Sequence, residues 1–198
     1  IAERGRESRN LEFKAGGPIS DTHLLRKVIR AVLGMTNTRD GGAVVLGIDE
    51  SIGIAEFTGM DEAVALTWTM DSFGDKVASW VDQAVSVDIE TKRSQGRHFV
   101  VIQVTEFEET PVFARKGYRS PGGDMDLREG ALYVRGARKP ETVEVRSSIE
   151  MHRLLELAVE KRLLRFGRHA RLAGLRPMER DFPTDDELFA RELEDFLT

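Results

Sequence analysis

Cysteine is absent from the sequence. That excludes disulfides, thiolate zinc sites and cysteine nucleophiles, and it fits a cytoplasmic protein. No apolar run approaches the roughly 20 residues of a membrane-spanning helix. A basic excess is lacking as well, since the net charge is −5, which is not the electrostatic footprint of a nucleic-acid binder. Neither G-x-x-x-x-G-K-[ST] nor G-x-G-x-x-G occurs, so the pair Gly41-Gly42 is not read as a nucleotide cradle. The chain opens on Ile1 with no signal-peptide pattern, which reads as a lost start methionine or a longer N-terminus.

What is present is a soluble globular composition: 198 residues, 40% hydrophobic and 32% charged, enough for one domain with a core and an appendage. The charge is unevenly spread. Residues 184–198 hold six acids and one base, which leaves 28 basic and 28 acidic residues in 1–183. A neutral body can still carry a basic groove.

Residues 10–14 alternate, with Leu11 and Phe13 on one face and Glu12 and Lys14 on the other, as in a short half-buried strand. Apolar residues at 24, 25, 28, 29, 32 and 33 predict a helix over 20–36, with Ser20 or Asp21 as N-cap. Ala43 to Ile48 is almost wholly apolar and reads as a central strand, with 52–58 as its return arm. A second helix is expected over 61–83, weakest at Gly74, with Trp68 and Trp80 in the core. Residues 85–107 read as a hairpin around "RSQGR". Residues 114–130 read as a long exposed loop, and 131–137 as a strand leading into a basic turn. Ser147 with Glu150 makes a capping box for a helix over about 148–165. Thr184 with Glu187 makes another, opening an acidic amphipathic tail helix. The expected class is α/β (α+β): a mixed sheet with flanking helices, as domain 1–145, plus a C-terminal helical extension over 146–198.

Three carboxylates draw notice. Glu12 and Lys14 share a strand face. Glu7 joins them only if the chain bends at "SRN", which suits a turn. Asp49 stands at the exit of the central strand, where sheets present chemistry. If strand 10–14 lies beside strand 43–49, Glu12 and Asp49 approach each other. Clustered carboxylates then call for a divalent cation such as Mg²⁺ or Mn²⁺, which would activate water for phosphodiester cleavage, with Lys14 on a phosphate. By pattern alone the same residues read more simply as solvated charges on an edge strand and an ordinary turn aspartate. Lys116, Arg135, Arg138 and Lys139, with Arg115 and Arg119, form a basic set for phosphate contacts or a solvated surface. Phe113 and Tyr118 read as base-stacking or local packing residues. His23, His98, His152 and His169 have no ligand spacing.

Taken in order, "ESRNLEFK", "MTNTRDGGAVVLGIDE" and "ALYVRGARKP" resemble the signature of the Schlafen-type Alba-like domain: E-x-x-x-x-E-F-K, then N-T-x-G-G, then a G-[IV]-D-[DE] strand and a late Y-x-R strand. "NTRDGG" carries one residue more than that pattern. The resemblance implies a mixed sheet that binds nucleic acid, RNA favoured and DNA possible. It further implies a metal-dependent endoribonuclease acting on tRNA-like substrates, with Glu7, Glu12 and Asp49 as catalytic and metal-holding trio and Lys14 beside them. A homodimer is implied too, because one copy supplies half of a two-sided cleft. The alternative is a non-catalytic nucleic-acid-binding or transcription-regulatory module.

Overall fold

A computed structural model of the chain describes residues 8–50, 55–120, 122–123, 125–136 and 139–174. The elements are β1 (Leu11–Lys14), α1 (Thr22–Thr36), β2 (Gly42–Leu46), α2 (Glu62–Ala65), α3 (Met70–Ala78), β3 (Val87–Ser94), β4 (Arg97–Val104), β5 (Tyr118–Arg119), β6 (Met125–Leu127), β7 (Tyr133–Arg135), β8 (Thr142–Glu144) and α4 (Ser148–Leu172). The mixed α/β architecture expected from the sequence is the one observed. Two compact units divide at residue 161/162, inside α4. In the second, residues 162–174 are described, and the tail helix expected from Thr184 onward lies outside the described residues.

The main sheet has the order β1-β2-β4-β3. β1 runs parallel to β2, with Glu12 opposite Val44 and Lys14 opposite Leu46. The other pairings are antiparallel. A parallel pair needs a crossover, and α1 supplies it. Asp21 caps that helix, its carboxylate accepting from the His23 and Leu24 amides at 2.9 and 3.1 Å. Val28, Ile29, Val32 and Leu33 of its inner face are fully buried together with Val44, Leu46, Val100 and Ile102 of the sheet. Phe13, Val45 and Ile48 form a smaller cluster on the opposite face.

The register of β1 changes the meaning of its alternation. In-register neighbours on paired strands point to one side, so Glu12 and Lys14 share the side of Val44 and Leu46, which α1 covers. The apolar pair Leu11 and Phe13 serves the smaller cluster instead. Glu12 is 8% exposed.

Several local expectations need correction. The helix expected over 61–83 is two helices, and the break falls at 66–69 rather than at Gly74, whose surroundings are open. Thr67 Oγ1 accepts from the Ile19 amide at 3.0 Å, and the Trp68 indole donates to the Gly17 carbonyl at 2.8 Å. These ties turn the chain, bury Trp68, and leave Thr69 to start α3 with a capping box. The loop expected over 114–130 contains the β5–β6 ladder, and Leu127 is fully buried. β8 pairs with β7, a strand the sequence reading does not contain. The helix from Ser148 runs to Leu172, past the expected 165, and its Ser147–Glu150 capping box is present. The additional residue of "NTRDGG" is absorbed where Asp40 and Gly41 take positive φ values of 66° and 61°.

Gly34 of α1 lies against Thr142 of β8: a Cβ there would lie 2.7 Å from both Cγ2 and Oγ1 of Thr142. Alanine normally favours a helix over glycine by about 1 kcal/mol. Here overpacking costs about 1–3 kcal/mol, and Thr142 is buried and held by a hydrogen bond from Arg135. Gly34→Ala is therefore expected to lower the thermal midpoint, and calorimetry would read it.

Candidate functional site

The site is assembled from three segments that interlock. Ser8 and Leu11 exchange backbone hydrogen bonds at 3.2 and 3.1 Å, closing a tight turn before β1. This is the bend that the sequence required between Glu7 and Glu12. Glu7 itself lies outside the described residues. Asn10 donates to the carbonyls of Arg39 and Gly41 at 3.2 and 2.5 Å, fastening that turn to the entry of β2. At the end of α1, Asn37 is 3% exposed and bonds Val112 through both its amide and its oxygen, each at 2.8 Å, and the Tyr133 carbonyl at 3.0 Å. Thr38 Oγ1 accepts from the Arg135 amide at 3.0 Å.

Arg135 is the centre of this arrangement. Its side chain is fully buried. Nε donates to the Arg9 carbonyl at 3.0 Å. Nη2 reaches the carbonyls of Ser8, Leu11 and Pro140 at 3.2, 3.4 and 2.7 Å. Nη1 bonds Thr142 at 3.2 Å and forms an ion pair with Glu12. A guanidinium satisfied on every nitrogen and sealed from solvent does not meet a phosphate. The placement of Arg135 in a surface basic set is corrected accordingly: it is an internal staple, and what it staples is the segment bearing Glu12. Of that set, Lys116 and Lys139 are exposed, as are Arg115 and Arg119, and Arg138 lies outside the described residues.

Glu12 accepts from two cations at once, Arg135 on one carboxylate oxygen and Lys14 on the other. The Lys14 ammonium also donates to the Phe13 carbonyl at 2.9 Å, which leaves one of its three hydrogens for a further acceptor. The Lys14 carbonyl receives the amides of Gly47 and Ile48 at 2.9 and 3.0 Å, and this carries the chain past β2 toward Asp49. Asp49 and Glu56 then exchange backbone hydrogen bonds at 2.9 and 2.8 Å, so the return arm is present as a bridge.

The condition set by the sequence is met: β1 and β2 are neighbours, and Glu12, Lys14 and Asp49 line one cleft of about 620 Å³. His23, Lys27 and Arg30 reach the same cleft from α1, and Glu50 and Glu141 add carboxylates. The sequence reading assigns no role to Lys27 or Arg30. Their signal was available: His23, Arg26, Lys27 and Arg30 recur at i, i+3, i+4 and i+7 on the polar side of the helix. No group of three or more ligating side chains suited to a metal ion forms among the described residues.

The three sequence motifs lie within the span of one family model. The family model described as "Schlafen, AlbA_2" matches residues 7–144, more than half of the chain. The chain belongs to the Schlafen AlbA_2 family. Among solved structures it is similar to the DIP2311 protein from Corynebacterium diphtheriae, at 20% identity and a TM-score of 0.48, over 69% of this chain and 22% of that one. It is also similar to the N-terminal domain of a DNA helicase RecG-related protein from Nitrosomonas europaea, at 20% identity and a TM-score of 0.40, over 71% of this chain and 88% of that one. The chain thus spans about a fifth of the DIP2311 protein. Comparison with curated proteins gives no match. No helix among the described residues is long and apolar enough to cross a membrane.

Proposed function

We propose that the cleft binds RNA and cleaves its phosphodiesters with the help of Mg²⁺ or Mn²⁺. The observation that carries this reading is that Glu12 and Lys14 of β1 and Asp49, just past β2, line one cleft large enough for a nucleotide. Family membership supports the nucleic-acid part of the reading.

The donor chemistry fits a hard cation in kind, because Asp49 and Glu12 offer carboxylate oxygens. In number it requires Glu7 as third ligand, since Glu12 enters with both oxygens engaged by Lys14 and Arg135. A bound divalent ion would supply a water of lowered pKa and offset charge on the phosphate. The chain's own residues orient and neutralise. Arg135 fixes the backbone from Ser8 to Glu12, so Glu12 does not wander. Lys14, anchored by Glu12 and Phe13, offers its remaining hydrogen to a phosphate oxygen as a point charge. A second copy would complete a two-sided cleft, and the exposed Leu155 and Val159, one turn apart on α4, supply apolar surface for it.

Incubation of a labelled tRNA with the protein tests the reading. Cleavage in Mn²⁺ that EDTA abolishes is the expected result. Intact tRNA in both, with salt-dependent binding retained, would leave the non-catalytic binding module in its place.

A further inference from the structure

α1 carries cations on its outer side and no acid anywhere between Thr22 and Thr36. At 100° per residue, His23, Arg26, Lys27 and Arg30 fall within about 100° of its circumference. Their surroundings differ along the stripe. Lys27 is exposed, lines the cleft beside Lys14, and makes no hydrogen bond or ion pair among the described residues. Arg30 also lines the cleft. Its Nη2 donates to the Thr142 carbonyl at 2.9 Å, while its Nε is buried without a hydrogen-bond partner. Arg26 lies at the far side of the stripe, with its guanidinium carbon 3.5 Å from the centre of the Trp80 ring and 5.0 Å from that of Tyr118. Its Nε and Nη1 are likewise buried without partners, and burial lowers its pKa from the usual arginine value. Lys116 approaches the same Trp80 ring at 5.7 Å from the loop that precedes β5.

Two cations gathered on one indole repel each other, and the buried arginine charges beneath them add to the local positive potential. The ring face offsets part of the repulsion, and a polyanion would offset the rest. Resting on the reading of the cleft as an RNA site, we infer that the outer face of α1 is the track for the RNA backbone. Phosphates run from Lys14 and Lys27 in the cleft to Lys116 beside Trp80, with Arg30 and Arg26 beneath the track as largely buried positive charge. Trp80 is 9% exposed, so it serves as a platform for cations and not for bases. The track explains how a domain without basic excess holds a polyanion: the cations are concentrated on one helix and one loop.

The test measures binding of a fluorescent RNA hairpin in EDTA, as a function of salt, for the wild type and for Lys27→Ala, Lys116→Ala and the double variant. Both lysines are exposed, so their loss leaves the fold intact, and a melting curve verifies it. Each lost phosphate contact reduces the slope of log K against log salt by about 0.7–0.9. That is on the order of a tenfold loss of affinity at about 50 mM salt for each variant, with the two losses adding. Lys92→Ala, on β3 and outside the track, is the control and is expected to leave the slope unchanged. An unchanged slope in both track variants, or an equal drop in Lys92→Ala, overturns the track while leaving the cleft reading standing. A wild type that binds no RNA overturns both.

Discussion

Glu12→Ala is expected to destabilise the folded protein by about 3–5 kcal/mol, because it leaves the guanidinium of Arg135 buried without its counter-charge. The Arg135 side chain has no exposure, and its remaining acceptors are the neutral Thr142 hydroxyl and carbonyls. Arg135→Met should be milder, since it removes the charge together with the need for it and leaves Glu12 still paired with Lys14. It exposes a different weakness: the carbonyls of Arg9 and Pro140 lose their donor, each lost bond costing about 1 kcal/mol, while those of Ser8 and Leu11 keep each other's amides. Urea unfolding followed by circular dichroism would rank the two. Equal stability of Glu12→Ala and wild type would remove Arg135 from the centre of the site. The consequence for enzymology is direct. An inactive Glu12→Ala protein reports on folding as much as on chemistry, so Glu12 is a poor residue with which to ask whether the protein is a nuclease.

Asp49→Asn is the better question, and cleavage is expected to fall by at least about a hundredfold, the usual scale for losing a charged catalytic group. The substitution keeps shape and volume. The backbone bonds of residue 49 with Glu56 are retained by asparagine. A melting curve of the variant scores the loss of cleavage against folded protein. RNA affinity in EDTA should be equal or slightly tighter, since one negative charge leaves a cleft that must admit phosphate. Single-turnover cleavage of tRNA in Mn²⁺, set beside a binding curve, separates the two effects. Undiminished cleavage by Asp49→Asn would remove this aspartate from the mechanism.

How far the sequence reaches depends on whether the partner of a residue is local. The apolar stripe of α1 and its Asp21 cap, the Ser147–Glu150 box and the Gln95-Gly96 turn rest on neighbours a few residues away, and they are legible. So is the adjacency of β1 and β2, as a condition on Asp49. The inward direction of Glu12 and Lys14 is not. Alternation shows that one face of β1 is charged, and charge normally means solvent. Only Arg135, 123 positions away, makes burial of that face tolerable. Trp68 breaks the expected long helix through a bond to Gly17, 51 positions away. The short β5–β6 ladder is hidden by its glycines and charges, and β8 by its three-residue length. The basic face of α1 was legible from spacing alone, but its meaning depends on Trp80 and Lys116, which only the fold brings beside it.

The clasp between the third strand ladder and the first strand also bears on biosynthesis. Ribosomes deliver Glu12 long before Arg135, Pro140 and Thr142, so during translation the early segment has neither its counter-ion nor its donors. A competent cleft cannot exist on the nascent chain until nearly the whole family domain has left the exit tunnel. For a protein proposed to cut RNA, that delay keeps the growing polypeptide harmless to the translation machinery producing it.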